Sequence, residues 1–179
     1  TILNLNEILE QIKVDCKEDE SFDQIITDLN DNTYLDHWAR ELFENENHRD
    51  LALQLYKYYA ENPETTSFSD YNTIAEDFAS KTLFNQPTFA EKYFKKAESL
   101  AKSCDDFIEL AISLSETDKV WAIKMYKKAE GLAKSCNDLV KIAENLIEID
   151  KTWSIKLYKK AEKLANSFED YDAVGENLL

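Results

Sequence analysis

Two kinds of apolar pattern alternate along this chain, both with the 3.6-residue period of an amphipathic helix. In one, Trp153, Leu157, Tyr158, Ala161 and Leu164 share a face while Lys156, Lys159, Lys160 and Lys163 flank it. The other centres on an apolar residue followed by a small one: Trp38-Ala39, Ile74-Ala75, Leu110-Ala111, Ile142-Ala143 and Val174-Gly175. Taking the second pattern as helix A and the first as helix B, the spacing predicts A helices near 32–45, 68–80, 105–116, 137–149 and 169–178. The B helices are predicted near 48–62, 87–102, 119–134 and 151–166. A further pair near 2–14 and 21–30 keeps the rhythm without a close sequence match.

The B pattern is an internal repeat. Phe89-Ala-Glu-Lys-Tyr-Phe-Lys-Lys-Ala-Glu-Ser-Leu-Ala-Lys-Ser103 recurs 32 residues on as Trp121-Ala-Ile-Lys-Met-Tyr-Lys-Lys-Ala-Glu-Gly-Leu-Ala-Lys-Ser135. It recurs again after 32 more as Trp153-Ser-Ile-Lys-Leu-Tyr-Lys-Lys-Ala-Glu-Lys-Leu-Ala-Asn-Ser167. Leu51-Ala-Leu-Gln-Leu-Tyr56 is a weaker copy 38 residues before Phe89. The A pattern steps by 36, 36, 32 and 32 residues.

Seven residues before each A pair stands a residue whose side-chain oxygen can accept from the open amides of a first helical turn: Asp31, Ser67, Ser103, Ser135 and Ser167. After the four serines an aspartate follows at the third position (Asp70, Asp106, Asp138, Asp170), which approximates a capping box and suits the positive end of the helix dipole. Asp118 and Asp150 are placed to cap the B helices that follow them, and Pro87 fits a first turn.

Stacked helices approach to about 8–10 Å, which requires small residues where the backbones cross. Ala39, Ala75, Ala111, Ala143 and Gly175 fill that role in A, and Ala97, Ala129 and Ala161 in B. An aromatic precedes each of the latter by three residues: Phe94, Tyr126 and Tyr158. The spacing of Ala122, Tyr126 and Ala129, with Ile142-Ala143 and Leu146, resembles the tetratricopeptide (TPR) repeat over roughly residues 31–179. The match departs from the family in its 32-residue period, in lacking the usual proline between repeats, and in Tyr59 and Ser154 where alanine is usual. The resemblance implies an all-α, right-handed α-solenoid of antiparallel helix pairs with 32–36-residue repeats and roughly eleven helices. The expected organisation is one domain over 1–179: an N-terminal pair (1–30), repeats at 31–66, 67–102, 103–134 and 135–166, and a partial repeat at 167–179. It also implies a concave, protein-binding groove lined by A helices. The chain stops within an A helix, so Tyr171, Val174 and Leu178 are expected to be partly exposed unless further residues or a contact cover them.

Composition narrows the function classes. Glycine and proline occur twice each, which argues against a Gly-rich phosphate loop and against sandwiches and barrels. The net charge is −15. Residues 1–90 hold 19 acids and 6 bases, whereas 91–179 hold 17 and 15. An acidic excess disfavours nucleic acid and anionic membranes as partners and favours a basic protein. No apolar run reaches the ~18–20 residues of a membrane span, and no signal-peptide pattern opens the chain. Three cysteines at wide spacings suggest neither a disulfide framework nor a zinc site, so a reducing, cytoplasmic setting is expected.

Chemically suggestive residues are sparse. Cys104 and Cys136 occupy one repeat position, filled elsewhere by Phe68 and Phe168, and read as buried apolar groups one repeat apart, too far for a disulfide. Cys16 lies in an acidic segment with no base to activate it. His37 adjoins Asp36, with Glu41 four residues on, and His48 is the other histidine; this is a weak basis for catalysis or metal binding. Neither a cofactor nor a metal is expected, and no enzyme activity. The repeated pairs Lys95-Lys96, Lys127-Lys128 and Lys159-Lys160 read as a salt-bridged outer face.

The expectation is therefore a non-enzymatic protein-binding module. By analogy with bacterial immunity proteins, which are often acidic and neutralise nuclease toxins, it is expected to bind and inhibit a basic protein. The alternative is a TPR-type adaptor or chaperone scaffold that takes a peptide in its groove, with Asn72, Glu76, Ile108, Ile112, Val140 and Glu144 facing it. The candidate partner-binding residues are Asp31, Tyr34, Asp36, His37, Glu41, Glu44, Glu46, Asn72 and Glu76. Long connections at 62–67 and 80–87, and the aromatics Tyr34, Tyr58 and Tyr59 that the repeat does not explain, direct attention to the N-terminal half.

Overall fold

The computed structural model describes residues 2–61 and 66–178, with side chains through 175. Among them are eleven α-helices and no strand. They are α1 (Leu5–Asp15), α2 (Phe22–Asn30), α3 (Leu35–Glu44), α4 (Arg49–Ala60), α5 (Phe68–Ala79), α6 (Pro87–Leu100), α7 (Cys104–Ser115), α8 (Lys119–Leu132), α9 (Cys136–Leu146), α10 (Lys151–Glu162) and α11 (Phe168–Leu178). A single 3-10 turn, Glu46–His48, leads into α4. The chain divides into two compact units. One holds residues 1–66 and 73–90, the other 67–72 and 91–179.

In the first unit α1 packs on α2 and α4, and α3 packs on α4. Its core gathers Ile8, Ile12, Ile25, Leu29, Leu55 and Ile74, all essentially inaccessible. An aromatic cluster joins them. The ring of Tyr56 lies 5.1 Å from that of Phe78 and 4.4 Å from that of Phe84. The connection after α5 is hydrogen-bonded rather than open: Gln86 N donates to the Phe78 carbonyl at 2.6 Å and Asn85 N to that of Ser80 at 3.0 Å. Phe84 is thereby carried into the core. The other long connection falls largely on residues 62–65, outside the described residues.

In the second unit α7 pairs with α8, α9 with α10, and α10 with α11, while α7 packs on α9 and α9 on α11. Helix pairs thus pack in chain order, as the alternating pattern implies. Ala111, Ala122, Ala129, Ala143 and Ala161 are fully buried at the helix contacts, as are Ala39 and Ala75 in the first unit. Ser154 takes the place of alanine without opening the packing. It is wholly buried, and its hydroxyl donates to the Ala143 carbonyl at 2.7 Å. Capping boxes close on α7 (Ser103, Asp106) and α9 (Ser135, Asp138). Asp118 and Asp150 accept from the amides of Trp121 and Trp153 at 2.9 Å each.

A tie between neighbouring hairpins recurs with the repeat. Glu98 accepts from the Trp121 indole at 2.8 Å and from Lys128 at 2.5 Å. Glu130 accepts from Trp153 at 3.0 Å and Lys160 at 3.1 Å. The second lysine of the last two Lys-Lys pairs is therefore held by the glutamate of the preceding copy, whereas Lys96 lies over the rings of Tyr71 and Tyr93.

Four local expectations are corrected. Helix α3 begins at Leu35 rather than near 32, and Asp31 is the C-cap of α2 rather than an N-cap. Gly175 is exposed with open space where a Cβ would stand, so no backbone crosses it. Val174 is buried, since α11 packs on both α9 and α10, whereas Tyr171 is exposed. Phe168, at the position of the buried Cys136, is 81% exposed. The Leu178 side chain lies outside the described residues.

Candidate protein-binding face and a buried Cys-Asp-His cluster

Helix α3 buries Leu35, Trp38, Ala39 and Leu42. The 3.6 period then turns Tyr34, His37, Glu41 and Glu44 together to the opposite, exposed side. Trp38 is pinned by its indole N–H, which donates to Asp28 at 2.7 Å, so the orientation of the helix is fixed on its buried side. Tyr34 is 67% exposed and has a left-handed backbone, φ 55°. The two other positive-φ residues described, Asn32 and Asn85, are of the type that tolerates this region; a tyrosine there carries backbone strain. Asp31 and Glu46 are exposed at the ends of neighbouring elements.

The remaining candidates are placed elsewhere. Asp36 turns to Arg40 at 2.9 Å and so belongs to an internal network with Asp77. Asn72, 2% exposed in the second unit, donates to Ser113 at 2.8 Å and is unavailable to a partner. Glu76 is exposed in the first unit. Of the groove positions, Ile108 and Val140 are buried, while their neighbours one turn on, Ile112 and Glu144, are exposed. The register explains this: α7 packs directly on α9, so the first residue of each such pair goes into the stack of A helices. An open depression of about 400 Å3 in the second unit is lined by charges of both signs, among them Lys127, Glu130, Asp150 and Lys156.

Sequence reasoning passed over one cluster. The residues at the end of α1 and the 3-10 turn meet because α1 packs on α4. There the buried thiol of Cys16, the Asp19 carboxylate and the His48 imidazole present ligand atoms all within 4.8 Å of one another. Burial, and after it Asp19 and Asp15, push the Cys16 thiol up to about 12. Cys104 is pushed up to about 11, again by burial first. All three cysteines are free and none is an activated nucleophile. The Cys16-x2-Asp19 spacing was a visible signal, but only the fold brings His48 to it.

No family model matches the chain, and neither a curated protein nor a solved structure matches it. No described helix is long and apolar enough to cross a membrane.

Proposed function

We propose that the protein is a protein-binding module whose exposed α3 face, Tyr34, His37, Glu41 and Glu44, engages a basic protein. The observation that carries this is the grouping of an exposed, strained aromatic with carboxylates on one helix face within the strongly acidic half of the chain. An aromatic anchor ringed by polar groups is the usual anatomy of a binding hot spot. The charge would steer the encounter and make it salt-dependent. An inhibitor of the immunity type, covering the cationic site of an enzyme such as a nuclease, fits this chemistry. The TPR-type adaptor reading is weaker, because Ile108 and Val140, which it needs in a groove, are buried.

The test is affinity capture from source lysate at low and high salt, with wild type and with a Glu41→Lys, Glu44→Lys, Glu46→Lys variant. One basic protein held at 1:1, lost at high salt and lost by the variant, supports the reading. Capture unchanged by the variant but abolished by Ile112→Asp transfers the binding to the A-helix face of the second unit and overturns it.

A further inference from the structure

We propose that Cys16, Asp19 and His48 form a binding site for a zinc-class divalent cation. The inference is independent of the protein-binding reading, because none of the three belongs to the α3 face.

The donor set is of mixed softness: a thiol, an imidazole and a carboxylate, the three side-chain types that bind zinc. It is also preformed. Cys16 is fully buried as the C-cap of α1, and His48 is 6% exposed in the turn before α4. The Nε2 atom of His48 stands 3.3 Å from a carboxylate oxygen of Asp19. That is long for a charge-assisted hydrogen bond, about 2.7–2.9 Å. It matches the separation of about 3.3 Å between two ligands each about 2.0–2.1 Å from a tetrahedral ion. The Cys16 sulfur lies within 4.8 Å of both, and a tetrahedral S–N or S–O edge of about 3.6 Å requires it to close by no more than about 1.2 Å on binding.

Charge points the same way. His48 Nε2 faces the Asp19 carboxylate, which holds the ring proton on that nitrogen, while Nδ1 is buried without a hydrogen-bond partner among the described residues. A cation seated between the two groups takes the place of the Nε2 proton, which is released on binding. Asp15 and Asp19 surround the thiol with negative charge, and the contacts described there include no lysine or arginine. A divalent ion would supply the missing positive charge and would stabilise the thiolate. Asp19 is only partly covered, its side chain 34% exposed, which leaves a fourth position for water.

The experiment titrates the full-length, metal-stripped chain with Co2+ and follows the thiolate-to-cobalt absorption in the near ultraviolet. Zn2+ is then used to displace it. The expected result is one site, with the sulfur band absent in Cys16→Ser and present in a Cys104→Ser, Cys136→Ser double variant. Asp19→Asn, at a partly exposed position, should keep the helical circular dichroism and weaken Co2+ at least about tenfold. His48→Gln should do the same. Absence of the sulfur band in wild type, or its survival in Cys16→Ser, overturns the proposal. If Cys16→Ser does not fold, affinity unchanged by Asp19→Asn overturns it.

Discussion

Arg40 reaches Asp77 with two nitrogens, Nε at 3.1 Å and Nη2 at 2.6 Å, and so joins α3 to α5 across 37 residues of sequence. Tyr56 of α4 donates its hydroxyl to the same carboxylate oxygen, beneath the guanidinium. One carboxylate therefore fixes three helices of the first unit. Asp77→Asn is expected to destabilise that unit by about 2 kcal/mol, because it removes the charge shared by two guanidinium nitrogens and the Tyr56 hydroxyl and leaves Arg40 only its ion pair with Asp36. Tyr56→Phe, which leaves the ion pair intact, should cost about 1 kcal/mol. Urea unfolding of the two variants checks the order. Burial, then Asp77, pushes the Tyr56 hydroxyl far above its ordinary value, so in an alkaline titration Tyr56 should ionise only on unfolding.

Tyr126 and Tyr158 are the same repeat position with opposite hydrogen-bond status. The Tyr126 hydroxyl bonds Ser115, whereas that of Tyr158 is buried without a partner, because residue 147, one period after Ser115, is isoleucine. Tyr126→Phe should cost about 1 kcal/mol. Tyr158→Phe should be neutral or stabilising, since it removes an orphaned polar atom. Thermal melts of the matched pair check this, and equal shifts for the two variants would contradict the difference between the hydroxyls.

Glu130 serves both Trp153 and Lys160, but the two contacts differ in exposure. Glu130→Ala should cost about 1–2 kcal/mol through the loss of the indole bond. Lys160→Ala, at a lysine about half exposed, should cost less than about 1 kcal/mol and lose that effect in high salt. A double-mutant cycle between Glu130 and Trp153 measures the tie itself.

Acid stability follows from the capping boxes. Burial opposes ionisation of Asp106 and Asp138, but backbone N–H donors and the Ser103 and Ser135 hydroxyls outweigh it and hold both carboxyls below their ordinary 3.8. A carboxyl lowered by folding contributes stability that is complete above its unfolded value and is lost as pH falls through its folded value. The second unit should therefore lose stability as pH drops below about 4. An Asp106→Asn, Asp138→Asn variant should be less stable at pH 7, with a flatter decline in acid. Equal slopes for the variant and wild type would contradict this assignment.

The repeat made most helices legible. Wherever Ser-x-x-Asp or an aspartate N-cap recurs, the observed start lies within a residue of the expected one, because these signals act within a single turn. Helix α3 was misplaced because Asp31 mimics a cap, while a left-handed Tyr34 sets the real boundary. Which face of an A helix is exposed was half legible. Ile112 follows the pattern, but Ile108 and Val140 depend on how closely α7 meets α9. The Cys16–His48 encounter was illegible, since it joins residues 32 apart with no shared periodicity.

Each Trp-to-Glu tie looks back along the chain by 23 residues. A second copy of residues 119–150 inserted in tandem would find its tryptophan 23 residues after the first copy's Glu130, and its own glutamate 23 residues before Trp153. Asp150 of the first copy would cap the second. The period is thus a length of gene that can be duplicated or deleted without orphaning an indole or a helix start. Whole copies could therefore be added or removed with every indole tie and helix cap of this kind kept.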